Sequence, residues 1–261
     1  MPTIVVDKRD GIATLTLNRP DVINALNPEM AVELDAAMVD LARDTAVRCV
    51  VVRGSGRGFM AGGDVATMQA NLPDPRPFIS HMIEIYHRAV LAMSRLPKPV
   101  IASIHGPVAG AGVGLAMNAD IAIAADNATF MLAYVRIGTN PDGATTYLLP
   151  RLVGRRRAME LALLSDAIDA ARAEDLGIVN RVVPAAELEA ETAKLARRLA
   201  DGPTKAYAET KALINRSFES ADMAEHLAHE RAAFLRSAIT GDFAEGITAF
   251  VSKRKPGFTG Q

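Results

Sequence analysis

Apolar and polar positions change rhythm along the chain, and the changes divide it. In TIVVDKRDGIATLTLNRP, residues 3–20, Thr14, Leu15, Thr16 and Leu17 alternate and Arg9-Asp10-Gly11 supplies a turn, which predicts a β-hairpin. From Pro28 to Arg43 the pattern is helical: Asn27 is a good N-cap, Pro28 fits the first helical position and Glu29 suits the first turn. RCVVVRG, 48–54, is a short continuous apolar run and predicts a buried strand, as do PVIASIHG, 99–106, and DIAIAAD, 120–126. An amphipathic stretch at 78–96 lies between them, after a loop holding Pro73, Pro75 and Pro77. Strands therefore alternate with helices to about residue 135, which predicts an α/β core with crossover connections. From about Ala144 helical periodicity dominates, interrupted by one short strand, IVNRVVP, 178–184. No Pro/Gly/Ser-rich linker separates two independent halves.

Composition narrows the class. The 261 residues are nearly half apolar, enough for a sizeable core. Lys plus Arg is 29 and Asp plus Glu is 30, a balance that argues against sequence-independent nucleic-acid binding. The single cysteine, Cys49, sits in an apolar run, so it reads as a buried strand residue; internal disulfides and cysteine-rich zinc sites are excluded. The most apolar stretch, 99–125, is broken by Pro107, four glycines, His105, Asn118 and Asp120, and reads as strand, loop, short helix and strand. With no signal peptide visible at MPTIVVDKRD, the expectation is a soluble cytoplasmic protein.

Two glycine-rich loops carry candidate chemistry: GRGFMAGGDV, 56–65, and HGPVAGAGVGLA, 105–116, each between a strand and a helix start. Glycine lets a ligand approach the backbone, and a helix N-terminus adds free N–H groups and a positive dipole end. Each loop could aim one N–H at a developing oxyanion, or each could be only a tight turn. A dinucleotide site is disfavoured, because the spacing is not GxGxxG and the intervening helix holds only about nine residues. Isolated candidates have bland readings: His87 as a packing or surface residue, His105 as a backbone partner, Arg155–Arg157 as a solvated helix start. His226 and His229, three apart, have no carboxylate clearly placed with them. Asp142, in Pro141-Asp142-Gly143, reads on its own as a turn residue.

The two loops together resemble a family. FMAGGDV, 59–65, is similar to the first motif of the crotonase superfamily, the enoyl-CoA hydratases and isomerases; residues 98–130 resemble its second motif and the strands that follow. Residues 150–184 and EGITAFVSKRKPGF, 245–258, resemble its later helix, strand and C-terminal helix, so the likeness runs the length of the chain in order. The resemblance implies a crotonase (ClpP-like) α/β spiral of ββα units over residues 1–200 with a helical C-terminal region, 201–261, that covers the site and builds homotrimers or hexamers. It implies an acyl-CoA substrate and no prosthetic group or metal, with the Gly63 and Ala111 N–H groups on the thioester oxygen. Val22, Ala25, Leu26, Ala61, Asp64 and Val65 would lie along CoA, and Phe250 and Lys253 would close its adenine end.

Departures from the family pattern shift the expected chemistry. The two glutamates of a hydratase fall on Gly114 and Tyr134. Asp142 falls where several isomerases of the family carry their acidic residue, and residues 132–154 look especially like the ring-epoxide isomerases of phenylacetate degradation. A double-bond or ring isomerase with Asp142 as acid/base and Tyr134 lining the pocket is therefore favoured. An aryl-CoA dehalogenase also matches, with Asp142 as nucleophile beside His87 and Tyr134. A hydratase with non-standard residues and a non-catalytic acyl-CoA binder remain as alternatives.

Overall fold

The computed structural model describes residues 1–261. The chain opens with the hairpin β1 (Ile4–Arg9) and β2 (Ile12–Leu17), turned by Asp10 and Gly11, both with positive φ. Helix α1 (Pro28–Arg43) starts where Asn27 accepts the Met30 N–H at 2.9 Å, and β3 (Cys49–Gly54) follows. After α2 (Val65–Gln69) and α3 (Arg76–Ser94) come β4 (Val100–Ile104), β5 (Pro107–Ala109), α4 (Ala111–Met117), β6 (Ile121–Ala125) and β7 (Thr129–Met131). The second half holds α5 (Thr145–Val153), α6 (Arg155–Leu164), β8 (Ile168–Asp169), α7 (Ala170–Asp175), β9 (Arg181–Val183) and α8 (Leu188–Ala200). It ends with α9 (Thr204–Ser217), α10 (Met223–Ala238) and α11 (Gly241–Val251).

Six strands form one sheet in the order β1-β2-β3-β4-β6-β9, antiparallel only between β1 and β2. The middle strands are mostly apolar because both faces are covered. On β3, Val50 and Val52 join the main core with Leu34, Met38 and Tyr86, while Cys49 and Val51 pack on Ala196 and Ala200 of α8. A second sheet, β5-β7-β8, stands beside the first. Its strands of two and three residues are too short to leave a period in the sequence, and the strand expected at 99–106 is in fact β4 alone, with His105 and Gly106 forming the gap before β5. The strand expected at 178–184 is only the three residues of β9. No helix is long and apolar enough to cross a membrane.

Candidate active site

The first glycine loop is fixed on both sides by backbone bonds. Leu26 N–H donates to Gly62 O at 2.7 Å and Asp64 N–H to Leu26 O at 2.9 Å, a parallel bridge between Leu26 and Gly63. That pairing leaves the Gly63 N–H without an acceptor in the chain. On the other flank Met60 bridges Val108, and Ala109 N–H donates to Met60 O at 2.8 Å. The second loop then enters α4, whose first residue is Ala111, so its N–H has no partner inside the helix. The loops meet closely: a Cβ on Gly112 would stand 2.4 Å from Met60 O, so only glycine allows the approach. Two free N–H groups on rigid backbone, one from each loop, suit an oxygen that gains charge during reaction.

Side chains around this frame hold it. Asn24 is fully buried in a left-handed conformation; its amide donates to Ser55 O, Gly58 O and Phe59 O, each at 3.0 Å, and accepts the Arg19 N–H at 2.8 Å. Arg19 donates to Ala25 O and to Asp64 Oδ2, the latter at 3.0 Å. Asp64 also caps α2 through Thr67 N–H, and these hydrogen bonds, with the Arg19 charge, hold its carboxyl below the usual range despite its partial burial. Neither Arg19 nor Asn24 figured in the reading of the sequence. The signal available was an Asn followed by apolar residues in a loop, since Asn is the side chain that tolerates positive φ best after glycine.

Asp142 lies on a short turn before α5, and the turn touches α4, since a Cβ on Gly114 would stand 2.8 Å from Gly143 O. Tyr134 Oη donates to Asp142 Oδ1 at 2.7 Å. Burial raises the Tyr134 phenol pKa and the Asp142 charge raises it further, so the phenol keeps its proton and is a permanent donor. Asp142 Oδ2 has no such partner; His87 Nε2 stands 3.7 Å away, beyond hydrogen-bond distance. His87 Nε2 instead receives the Gly143 N–H at 3.2 Å. Just before His87 on α3, the buried Tyr86 donates to Ala111 O at 2.8 Å, and burial raises its phenol pKa too. His87, a packing or surface residue in the bland reading of the sequence, bonds the turn that carries Asp142. A groove of about 880 Å³ between α3, α5 and α9 opens beside His87 and Ala144.

The Gly114 position is closed. A Cβ there would meet Gly143 O and Thr145 Oγ1, both at 2.8 Å, because the Asp142 turn fills the space a longer residue would use. Ala61 and Gly63 are half-buried, Ala25 and Leu26 buried, and Val22 and Val65 exposed along the same rim. Phe250 and Lys253 are not brought to this site; Phe250 sits exposed on α11 and Lys253 exposed just past its C-cap, Ser252, and α11 packs on α10. His105 Nε2 pairs with Gly56 O at 2.9 Å, as a backbone partner. His226 and His229 do have carboxylates nearby, Glu230 at 3.7 Å and Glu225 at 3.6 Å, each one helical turn along α10. No group of three metal-ligating side chains occurs.

Known proteins resemble this chain in sequence and in fold. The family model described as enoyl-CoA hydratase/isomerase matches residues 7–261. The 1,2-epoxyphenylacetyl-CoA isomerase of Escherichia coli is 39% identical over all of both chains. The trans-2-decenoyl-[acyl-carrier-protein] isomerase of Streptococcus mutans is 36% identical over 99% of this chain and 98% of that one. The crystal structure of an enoyl-CoA hydratase from Polaromonas sp. JS666 superposes with a TM-score of 0.93 at 35% identity, covering 98% of this chain and 99% of the other. Paired glycine loops, the six-stranded sheet and full-length similarity together place the chain in the enoyl-CoA hydratase/isomerase family.

Proposed function

We propose that the protein is an acyl-CoA isomerase that moves a proton, by way of Asp142, across a thioester enolate held by Gly63 and Ala111. What carries the reading is the carboxylate itself: Oδ1 is taken by a phenol that stays protonated, and Oδ2 is left free. With the thioester oxygen on the two N–H groups, Oδ2 takes a proton from the α-carbon. The C–H electron pair moves into the enolate and its charge onto the oxygen, where the donors are strongest. The same oxygen returns the proton at the γ-carbon, so atoms and charge balance without another reactant. Tyr134 stabilises the carboxylate before transfer and lines the pocket. The closed Gly114 position supports isomerisation over hydration, since a second carboxylate to hold water has no room there.

Val22, Ala25, Leu26, Ala61 and Val65 line the CoA channel in this reading, and Asp64 contributes backbone because its carboxylate is engaged. Residues 201–261 form the covering and assembly region of a trimer or hexamer. That part rests on the apolar side chains α10 and α11 expose, among them Phe234 and Phe250. Phe250 and Lys253 then reach a neighbour's adenine end.

A second reading, aryl-CoA dehalogenation, is favoured by one observation, the 3.7 Å approach of His87 to Asp142. The test is turnover on parallel substrates: β,γ-hexenoyl-CoA and 1,2-epoxyphenylacetyl-CoA for isomerisation, crotonyl-CoA for water addition and a haloaryl-CoA for halide release. Isomerisation with negligible hydration is expected. Fast hydration or halide release would replace the proposal, and CoA-ester binding without any turnover would mean a binder.

A further inference from the structure

We propose that His87 is a positioning residue for Asp142, acting as a neutral imidazole whose Nε2 lone pair holds the Gly143 N–H. The inference rests on the reading of Asp142 as the proton carrier. Its geometry starts from the turn. Gly143 and Ala144 are both left-handed, with φ of 58° and 65°. For alanine that conformation brings Cβ too close to the following carbonyl oxygen, so the turn needs external holding. It is held at both ends. Tyr134 grips the carboxylate at Oδ1, and Thr145 N–H donates back to Asp142 O at 3.0 Å.

The peptide between Asp142 and Gly143 is the plane from which the carboxylate's Cα hangs. Its N–H points at His87 Nε2 at 3.2 Å. A backbone N–H only donates, so Nε2 accepts and the ring's proton is on Nδ1. His87 in this state carries no charge and cannot donate to Asp142 through Nε2, which explains the open 3.7 Å separation. The next residue back on α3 completes the seat: the Tyr86 ring lies under Gly143, where an added Cβ would be 2.6 Å from its Cε1. Successive side chains on a helix point about 100° apart, so Tyr86 packs below the turn while His87 holds it from the side. The half-exposed imidazole therefore orients the carboxylate without moving a proton itself.

The role separates from the two others open to a histidine beside a carboxylate. Leucine fills space but accepts nothing; glutamine places a carbonyl oxygen near the Nε2 position and cannot carry a proton. Amide hydrogen exchange at Gly143, read by mass spectrometry on the full-length protein, needs no substrate. We expect His87→Leu to speed that exchange at least roughly tenfold, and His87→Gln to restore most of the protection. On β,γ-hexenoyl-CoA, His87→Leu should lower kcat about 10–100-fold with KM shifted less than about threefold, the penalty of a group misplaced by about 1 Å. His87→Gln should recover all but about threefold of that loss.

Unchanged exchange and kcat in His87→Leu would reduce His87 to packing and overturn the proposal. A glutamine variant that keeps Gly143 protected yet turns over as poorly as leucine would make the imidazole a proton carrier, and overturn it too. A glutamine variant that recovers neither exchange nor kcat also refutes it. Asp142→Asn run beside them tests the underlying reading: full activity there removes Asp142 as proton carrier, while the exchange result stands as a statement about the turn.

Discussion

The two glycine loops and the Asp142 turn, the two halves of the proposed site, are built in different ways. The loops are fixed first by main chain, with a bridge from Leu26 to Gly63, a bridge from Met60 to Val108 and a helix that begins at Ala111, and Asn24 and Tyr86 bond their carbonyls. The Asp142 turn makes no such bridge. Apart from the Thr145 N–H bond to Asp142 O, it is held by side chains, Tyr134 on the carboxylate, His87 on the Gly143 N–H and Tyr86 beneath. The contrast teaches where chemistry can vary. Backbone donors keep their geometry whatever side chains surround them, which suits a step shared by many reactions on a thioester. A turn held by three side chains can be re-aimed by changing one of them.

Breaking the backbone half should cost most. In Gly112→Ala the new Cβ would stand 2.4 Å from Met60 O, so the loops must part. The expected loss in kcat/KM is about 10³-fold, comparable to or beyond removal of one oxyanion donor. Steady-state kinetics on the best isomerisation substrate checks it, with circular dichroism to show the fold intact.

Gly114→Glu asks whether the hydratase carboxylate can simply be put back. Its Cβ would meet Gly143 O at 2.8 Å, so the substitution pushes the Asp142 turn aside. It should lower isomerisation about 100-fold, as misplacement of a catalytic group does, and confer no water addition to crotonyl-CoA. Gain of hydration would mean that the turn adapts and the contrast is weaker than drawn.

Tyr134→Phe removes one of the three side-chain holds. That bond sets the rotation of the carboxylate, and a group misplaced by about 1 Å costs up to about 100-fold, so kcat should fall roughly 10–100-fold. The phenol keeps its proton at working pH because burial and the nearby Asp142 carboxylate both raise its pKa, so the wild type should show no alkaline limb from Tyr134. A pH–rate profile of both proteins checks the two statements together.

The smallest expected effect lies in another side-chain-held segment, the C-terminal tail. Glu245 accepts from Arg254 and from Gly257 N–H, and these hydrogen bonds, Arg254's first, lower its carboxyl to about 2 from the ordinary 4.5. A lowered folded-state value means the hold is complete above the ordinary value and is lost as pH falls from 4.5 towards 2. Hydrogen exchange in residues 252–261 should therefore rise over that acid window, ahead of the β-sheet core. Glu245→Gln should show the loosened tail already at neutral pH.

The same contrast explains what the sequence disclosed. The central strands announce themselves because both faces are covered and the run is apolar, as at Cys49 to Val52. The glycine loops are legible because close backbone approach demands glycine, and Met60 O beside Gly112 leaves no other choice. Asp142 could be found only through the family pattern, since a Pro-Asp-Gly looks like any turn. His87 was undervalued for a physical reason: its partner is a main-chain N–H 56 residues away, and backbone bonds leave no trace in residue types. Arg19 and Asn24 stayed hidden for the same reason, because their partners are mostly carbonyl oxygens. The second sheet escaped because strands of two or three residues have no period to read.

The central claim is that Asp142 moves the proton while the glycine loops hold the enolate. Proton exchange on the acyl chain of β,γ-hexenoyl-CoA in deuterium oxide, followed by nuclear magnetic resonance, tests it most directly when wild type and Asp142→Asn are compared at matched acyl-CoA saturation. The account predicts exchange at the α- and γ-carbons in the wild type, and a loss of about 10²–10⁴-fold in the variant with acyl-CoA affinity preserved. Exchange at the wild-type rate in Asp142→Asn would contradict it.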